Sequence, residues 1–109
     1  MIFLLFLPKI YSQDTFSGKY LAVDQAQYDP EKRWIEISRN KYQEIIVSSE
    51  HFLNVVAYYD ADNQELYFVI EKPAQYNTFM KIKIKTNNIL EVYMLTQNKW
   101  SKSEYTYKK

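Results

Sequence analysis

Thr78-Phe79-Met80-Lys81-Ile82-Lys83-Ile84-Lys85-Thr86 alternates apolar and basic residues from Met80 onward. A period of two places Met80, Ile82 and Ile84 on one face and the three lysines on the other, the pattern of an antiparallel strand with one side buried and one in water. Outward from this segment, β-type runs recur about every eight to thirteen residues, split by Asn, Asp and Lys clusters. They occupy 18–24, 33–38, 42–47, 52–59, 65–70, 89–96 and 100–107. Asn87-Asn88 reads as a two-residue hairpin, because Asn tolerates the positive φ that tight hairpins use. Arg39-Asn40-Lys41, Ser48-Ser49-Glu50-His51, Asp60 to Gln64 and Gln97-Asn98-Lys99 supply other turns, and Asp29-Pro30 marks a longer connection. No stretch sustains helical periodicity, although Ser48 to Leu53 has the makings of a short capped turn of helix. Hairpin-spaced strands without crossover helices pair antiparallel with their sequence neighbours. Eight of them in one small chain predict an all-β fold, a small antiparallel up-and-down eight-stranded barrel, the arrangement that leaves no exposed edge.

Length and composition agree with one domain: 109 residues, 47% hydrophobic and 25% charged, with eleven Tyr and a single Gly. Residues 1–12 stand apart. Their apolar run from Met1 to Leu7 would make roughly 10 Å of helix, too short to span a bilayer. It resembles the second half of a secretory signal peptide, with Ser12 the small residue before a cut and Gln13 the first residue of a domain over 13–109. No Lys or Arg precedes the run and Ile10 fits poorly before such a cut, so a buried first strand is the competing reading. Residues 1–12 hold Lys9 and no acid, so without them the chain's 14 basic and 13 acidic residues come to equal numbers. A neutral domain is poorly suited to sequence-blind binding of nucleic acid or anionic membrane. The absence of cysteine excludes a disulfide scaffold and thiolate zinc, and with an export signal it favours a bacterial periplasm or secretion.

If Lys and Glu face water, the inward set includes Ile35, Ile37, Leu53, Val55, Ala57, Tyr59, Leu66, Phe68, Ile70, Leu90, Val92 and Met94 beside Met80, Ile82 and Ile84. A barrel of this size either fills with side chains or holds one small ligand. Trp34, Tyr67 and Tyr93 fall on the charged outer face, and Tyr105 and Tyr107 are candidates to join them. Such aromatics pair across strands, or they anchor a protein or glycan partner. Lys81, Lys83 and Lys85 make a basic stripe about 13 Å long, a solvated face that also discourages edge aggregation.

Phe16-Ser17-Gly18-Lys19-Tyr20 resembles the Phe-x-Gly-x-Trp start of the calycin group, which comprises lipocalins, fatty-acid-binding proteins and avidins, with Tyr20 in the tryptophan's place. The resemblance implies that this aromatic packs at the closed end of a lipocalin-like barrel, and that the barrel binds a small apolar molecule. That group commonly packs an arginine from near the last strand over the first-strand aromatic, and this chain lacks it, Arg33 and Arg39 being its only arginines.

The residues offer no catalytic constellation. His51 is the only histidine, its serine neighbours lack a nucleophile elbow, and one Gly cannot build a phosphate loop. Asp60-x-Asp62-x-Gln64 with Glu71 superficially resembles a calcium loop, but Glu65 stands where such a loop needs Gly and its flanks read as strands. The expectation is therefore a non-catalytic binding domain without metal or cofactor. Its ligand site would comprise Tyr20, Tyr59, Phe68, Met80, Ile82 and Met94, with Tyr hydroxyls orienting a polar end and Met adapting to shape. The alternative is a protein-interaction module, an inhibitor, immunity or assembly protein, using Trp34, Tyr67 and Tyr93.

Overall fold

The computed structural model describes residues 15–23, 32–71 and 77–109. The signal-like segment 1–12, the Asp29-Pro30 connection and residues 72–76 lie outside them. Eight antiparallel strands close into one barrel in sequence order: β1 (Gly18–Ala22), β2 (Trp34–Arg39), β3 (Ile45–Ser49), β4 (Val55–Asp60), β5 (Glu65–Ile70), β6 (Thr78–Thr86), β7 (Ile89–Thr96) and β8 (Lys99–Lys108). The described residues contain no helix, including at Ser48 to Leu53. Met80, Ile82 and Ile84 are buried inside, facing Phe68 and Leu66 across β5 and Val92 and Leu90 across β7.

The strand boundaries move where turn chemistry outweighs β-propensity. Asn40 ends β2 and holds a loop through Glu44: its Oδ1 accepts the backbone N–H groups of Tyr42 and Glu44 at 2.9 and 3.0 Å, and Gln43 takes a φ of 67°. Residues 42–44 thus belong to the turn, and β3 runs on through Ser48 and Ser49, which are buried in the strand rather than forming the polar connection. Burial of these serines is balanced by hydrogen bonds, since their Oγ atoms accept the N–H groups of Asn54 and His51 at 2.8 and 3.0 Å. Asn54 has a φ of 56°, which breaks the run expected from residue 52, so β4 starts at Val55 and Leu53 is exposed instead of inward. Asp60 closes its hairpin by accepting from the Asn63 side-chain amide at 2.8 Å, the bond of a turn.

Tyr107 and Tyr105 also reverse. Tyr107 is buried opposite Leu90, and Tyr105 packs against the core. Lys102 and Glu104 are exposed on the outer face, and alternation from them puts Ser103, Tyr105 and Tyr107 on the inner one. The register shift between β7 and β8, where Ser103, Glu104 and Tyr105 oppose Val92 alone, adds two residues to β8 and so leaves that alternation unchanged.

One end of the barrel is plugged. Phe16 lies across it, buried, with its ring 5.1 Å from that of Tyr59. The fully buried Tyr20 donates its hydroxyl to the Phe16 carbonyl at 2.5 Å and lies 3.1 Å from that of Asn87. Lys109, directly after β8, sets its Nζ 5.4 Å over the Tyr20 ring and donates to the Thr15 carbonyl at 2.7 Å. A cation on the first-strand aromatic is therefore present, supplied by lysine. Gly18 has a φ of 141°, a conformation that calls for glycine, and a Cβ there would lie 3.2 Å from the flexible Lys109 side chain, which would have to shift slightly.

Candidate functional site

The opposite end holds a cavity among the described residues. β1 pairs with β8 only at Leu21↔Lys108 and Ala22↔Tyr107, with one further bond from the Val23 N–H to the Thr106 carbonyl at 3.0 Å. The rest of β8 rises past β1, and a cavity of about 470 Å³ opens beside it. Its apolar wall is built by alternation: Ile35 from β2, Phe68 from β5, Met80 and Ile82 from β6, Val92 and Met94 from β7. Phe52 completes it, its ring 5.5 Å from that of Phe68. This volume lies within the roughly 300–1,000 Å³ typical of sites that engulf a small molecule.

The mouth is polar. Arg33 precedes β2, and its Nη1 lies 3.5 Å from Oε2 of Glu50 and 3.4 Å from Nε2 of His51. Its guanidinium sits 4.8 Å from the centre of the Tyr105 ring on β8. Glu50 is fixed from the other side, where its Oε1 accepts the Trp34 N–H at 2.9 Å. Ser49, Ser101 and Ser103 add hydroxyls to the lining, with Lys102 and Glu104 on the bulged side.

Four of the expected ligand residues, Phe68, Met80, Ile82 and Met94, share this cavity. Tyr20 and Tyr59 do not: Tyr20 belongs to the plug, and Tyr59 lines a separate crevice at the closed end with Phe16 and Ile84. Burial pushes the Tyr20 hydroxyl up to about 12, and its hydrogen bonds tie it to backbone carbonyls. The polar groups of the cavity come instead from Arg33, Glu50, the serines and Tyr105. The sequence reading placed Ser49 and Glu50 in a turn and Tyr105 as a candidate for the outer face, and gave Arg33, Ser101 and Ser103, all within strands, no part in a site.

On the outer face Tyr67 and Tyr93 are brought together and Trp34 is not. Tyr67 and Tyr93 flank Lys81 in register on β5 and β7, while Trp34 lies on β2 beneath Lys19, 5.0 Å from its ring centre. Lys81 places its Nζ 5.0 Å from the Tyr93 ring, 4.7 Å from Trp100 and 3.6 Å from a Glu65 oxygen. Trp100 in turn meets Tyr67 edge-on at 6.1 Å. The Tyr67 hydroxyl donates to Glu65 at 2.5 Å, and that bond, with burial, pushes it up to about 12. Burial and a 3.1 Å bond to Glu91 raise Tyr93 as well. These ring faces and hydroxyls are engaged with the chain's own groups.

Among the described residues no group of three or more His, Cys, Asp or Glu is placed to hold a metal ion, and no helix is long and apolar enough to cross a membrane. No protein-family model matches this chain, and no curated protein or solved structure matches it either.

Proposed function

We propose that this chain is an exported, lipocalin-like domain that binds a small apolar molecule inside the barrel and performs no catalysis. The observation that carries the reading is the pairing of a plugged end with an apolar chamber beyond it. Phe16, Tyr20 and Lys109 close the bottom, and an apolar chamber of about 470 Å³ is left above them with its mouth at the other end. Had the barrel interior served stability alone, side chains would have filled that space, since interiors pack close to crystal density. Export rests on the apolar segment 1–12 and the lack of cysteine. The lipocalin-like reading rests on the Phe16-x-Gly18-x-Tyr20 start and the lysine over Tyr20.

The test is titration with N-phenyl-1-naphthylamine, a neutral probe whose emission rises in apolar surroundings. Saturable one-to-one binding is expected, and Met94→Trp, which fills the chamber from a partly exposed position, should weaken it at least tenfold with little change in the unfolding midpoint. A chain that folds but gives no saturable signal would sink the proposal.

A further inference from the structure

We infer that the ligand is a neutral amphiphile, an apolar body ending in a hydroxyl or carbonyl, and not a fatty acid or other anion; this rests on the ligand-binding reading above. Arg33 and Lys102 both line the chamber, and an acid would be expected to seek the half-buried Arg33. Its charge is already answered: Glu50 lies 3.5 Å away and Tyr105 covers one guanidinium face. Glu50 is not free to swing aside, because its second oxygen holds the Trp34 N–H at 2.9 Å at the start of β2. A ligand carboxylate reaching Arg33 would therefore meet a fixed carboxylate at close range in a half-buried site, where like charges repel more strongly than in water. Lys102 and Glu104 both line the rest of the mouth, so among the described lining residues Arg33 and Lys102 are equalled in number by Glu50 and Glu104.

The groups that remain are neutral hydroxyls. Ser49 Oγ accepts the His51 N–H at 3.0 Å and Ser103 Oγ accepts the Tyr105 N–H at 3.2 Å. In each case the serine's own O–H is left to donate, and a hydroxyl or carbonyl oxygen accepts such a bond without bringing charge. Both serines line the chamber where its apolar wall of Ile35 and Val92 gives way to the mouth. An end group docked there keeps the apolar body inside and pairs two buried-side donors, which a hydrocarbon would leave unsatisfied.

The experiment is displacement of bound N-phenyl-1-naphthylamine at pH 8 by 1-decanol and by decanoate, which share a chain and differ in their end group. Decanol is expected to displace the probe at a concentration at least tenfold lower than decanoate. Glu50→Gln, which keeps an acceptor for the Trp34 N–H and removes the charge, should narrow that gap at least threefold by improving decanoate alone. Decanoate binding as tightly as decanol to the unaltered protein would overturn the inference, as would a Glu50→Gln variant that binds the probe normally and leaves the ratio unmoved. If the probe binds and neither decyl compound displaces it, the neutral-amphiphile assignment fails while the ligand-binding reading stands. Absence of probe binding removes both.

Discussion

At the scale of single residues, Tyr20 shows how one side chain can close a barrel. Its ring is fully buried, its hydroxyl bonds to Phe16 and lies within reach of a second carbonyl, and its face carries the Lys109 cation. Tyr20→Phe leaves the shape intact but strands buried carbonyl acceptors, so it should lower stability by ~1–3 kcal/mol in urea denaturation at pH 7. The pH dependence has a definite sign. The folded-state value is raised to about 12 from an ordinary 10.0, so above pH 10 the unfolded chain loses this proton while the folded chain keeps it. The stabilisation is full below pH 10 and is lost as pH climbs toward 12. The stability gap between the unaltered protein and Tyr20→Phe should therefore shrink over that range, and a gap that widens would contradict the assignment. The resemblance of the Phe-x-Gly-x-Tyr start implied packing at a closed end, although the same reading also counted Tyr20 in the ligand site, where it does not lie. The lysine over it was not legible, because Lys109 comes next to Tyr20 only when β8 closes against β1.

Turn geometry governs the elements, and two hairpins that look alike in sequence differ in backbone. Gln97 and Asn98, between β7 and β8, both have positive φ, 50° and 63°, the turn whose twist matches paired strands. Asn87 and Asn88, between β6 and β7, are absent from the positive-φ positions, contrary to the expectation from their residue type. Their turn is accommodated by a register shift between Ile84 and Thr86, which absorbs the mismatch in twist. Glycine substitution distinguishes the two. Asn98→Gly relieves a left-handed residue and should be neutral or stabilising by up to ~1 kcal/mol, whereas Asn88→Gly adds only unfolded-state freedom and should destabilise by ~0.5–1 kcal/mol. Urea midpoints of the two variants, compared with the unaltered protein, read the difference directly. Strands β5, β6 and β7 were legible to the residue because strict alternation and adjacent polar turns both marked them. The starts of β3 and β4 were not, since Tyr42, Phe52 and Leu53 have strand-forming side chains in segments where Asn40 and Asn54 impose turns.

For the molecule as a whole, the seam between the first and last strands decides stability. β6 and β7 pair almost along their full lengths, while β1 and β8 share two residue pairs. Native-state amide exchange should therefore be slowest in β6 and β7 and fastest, among strand amides, in β1 and the N-terminal half of β8. Uniform protection around the barrel would contradict this. The seam also joins residues from opposite ends of the described chain, so its formation pays the largest loop-closure cost, and refolding should be slow for the chain's size. Beyond the two pairs of the seam, the contact of Arg33 with Tyr105 joins β8 to the start of β2 beside the chamber. By itself the sequence determined that eight strands form, that they pair as neighbours and that Met80, Ile82 and Ile84 point inward, because alternation and turn residues act over a few positions. Only the tertiary structure decided that the interior keeps a chamber and which end is plugged. Those depend on contacts between residues far apart in the chain, which no local period encodes.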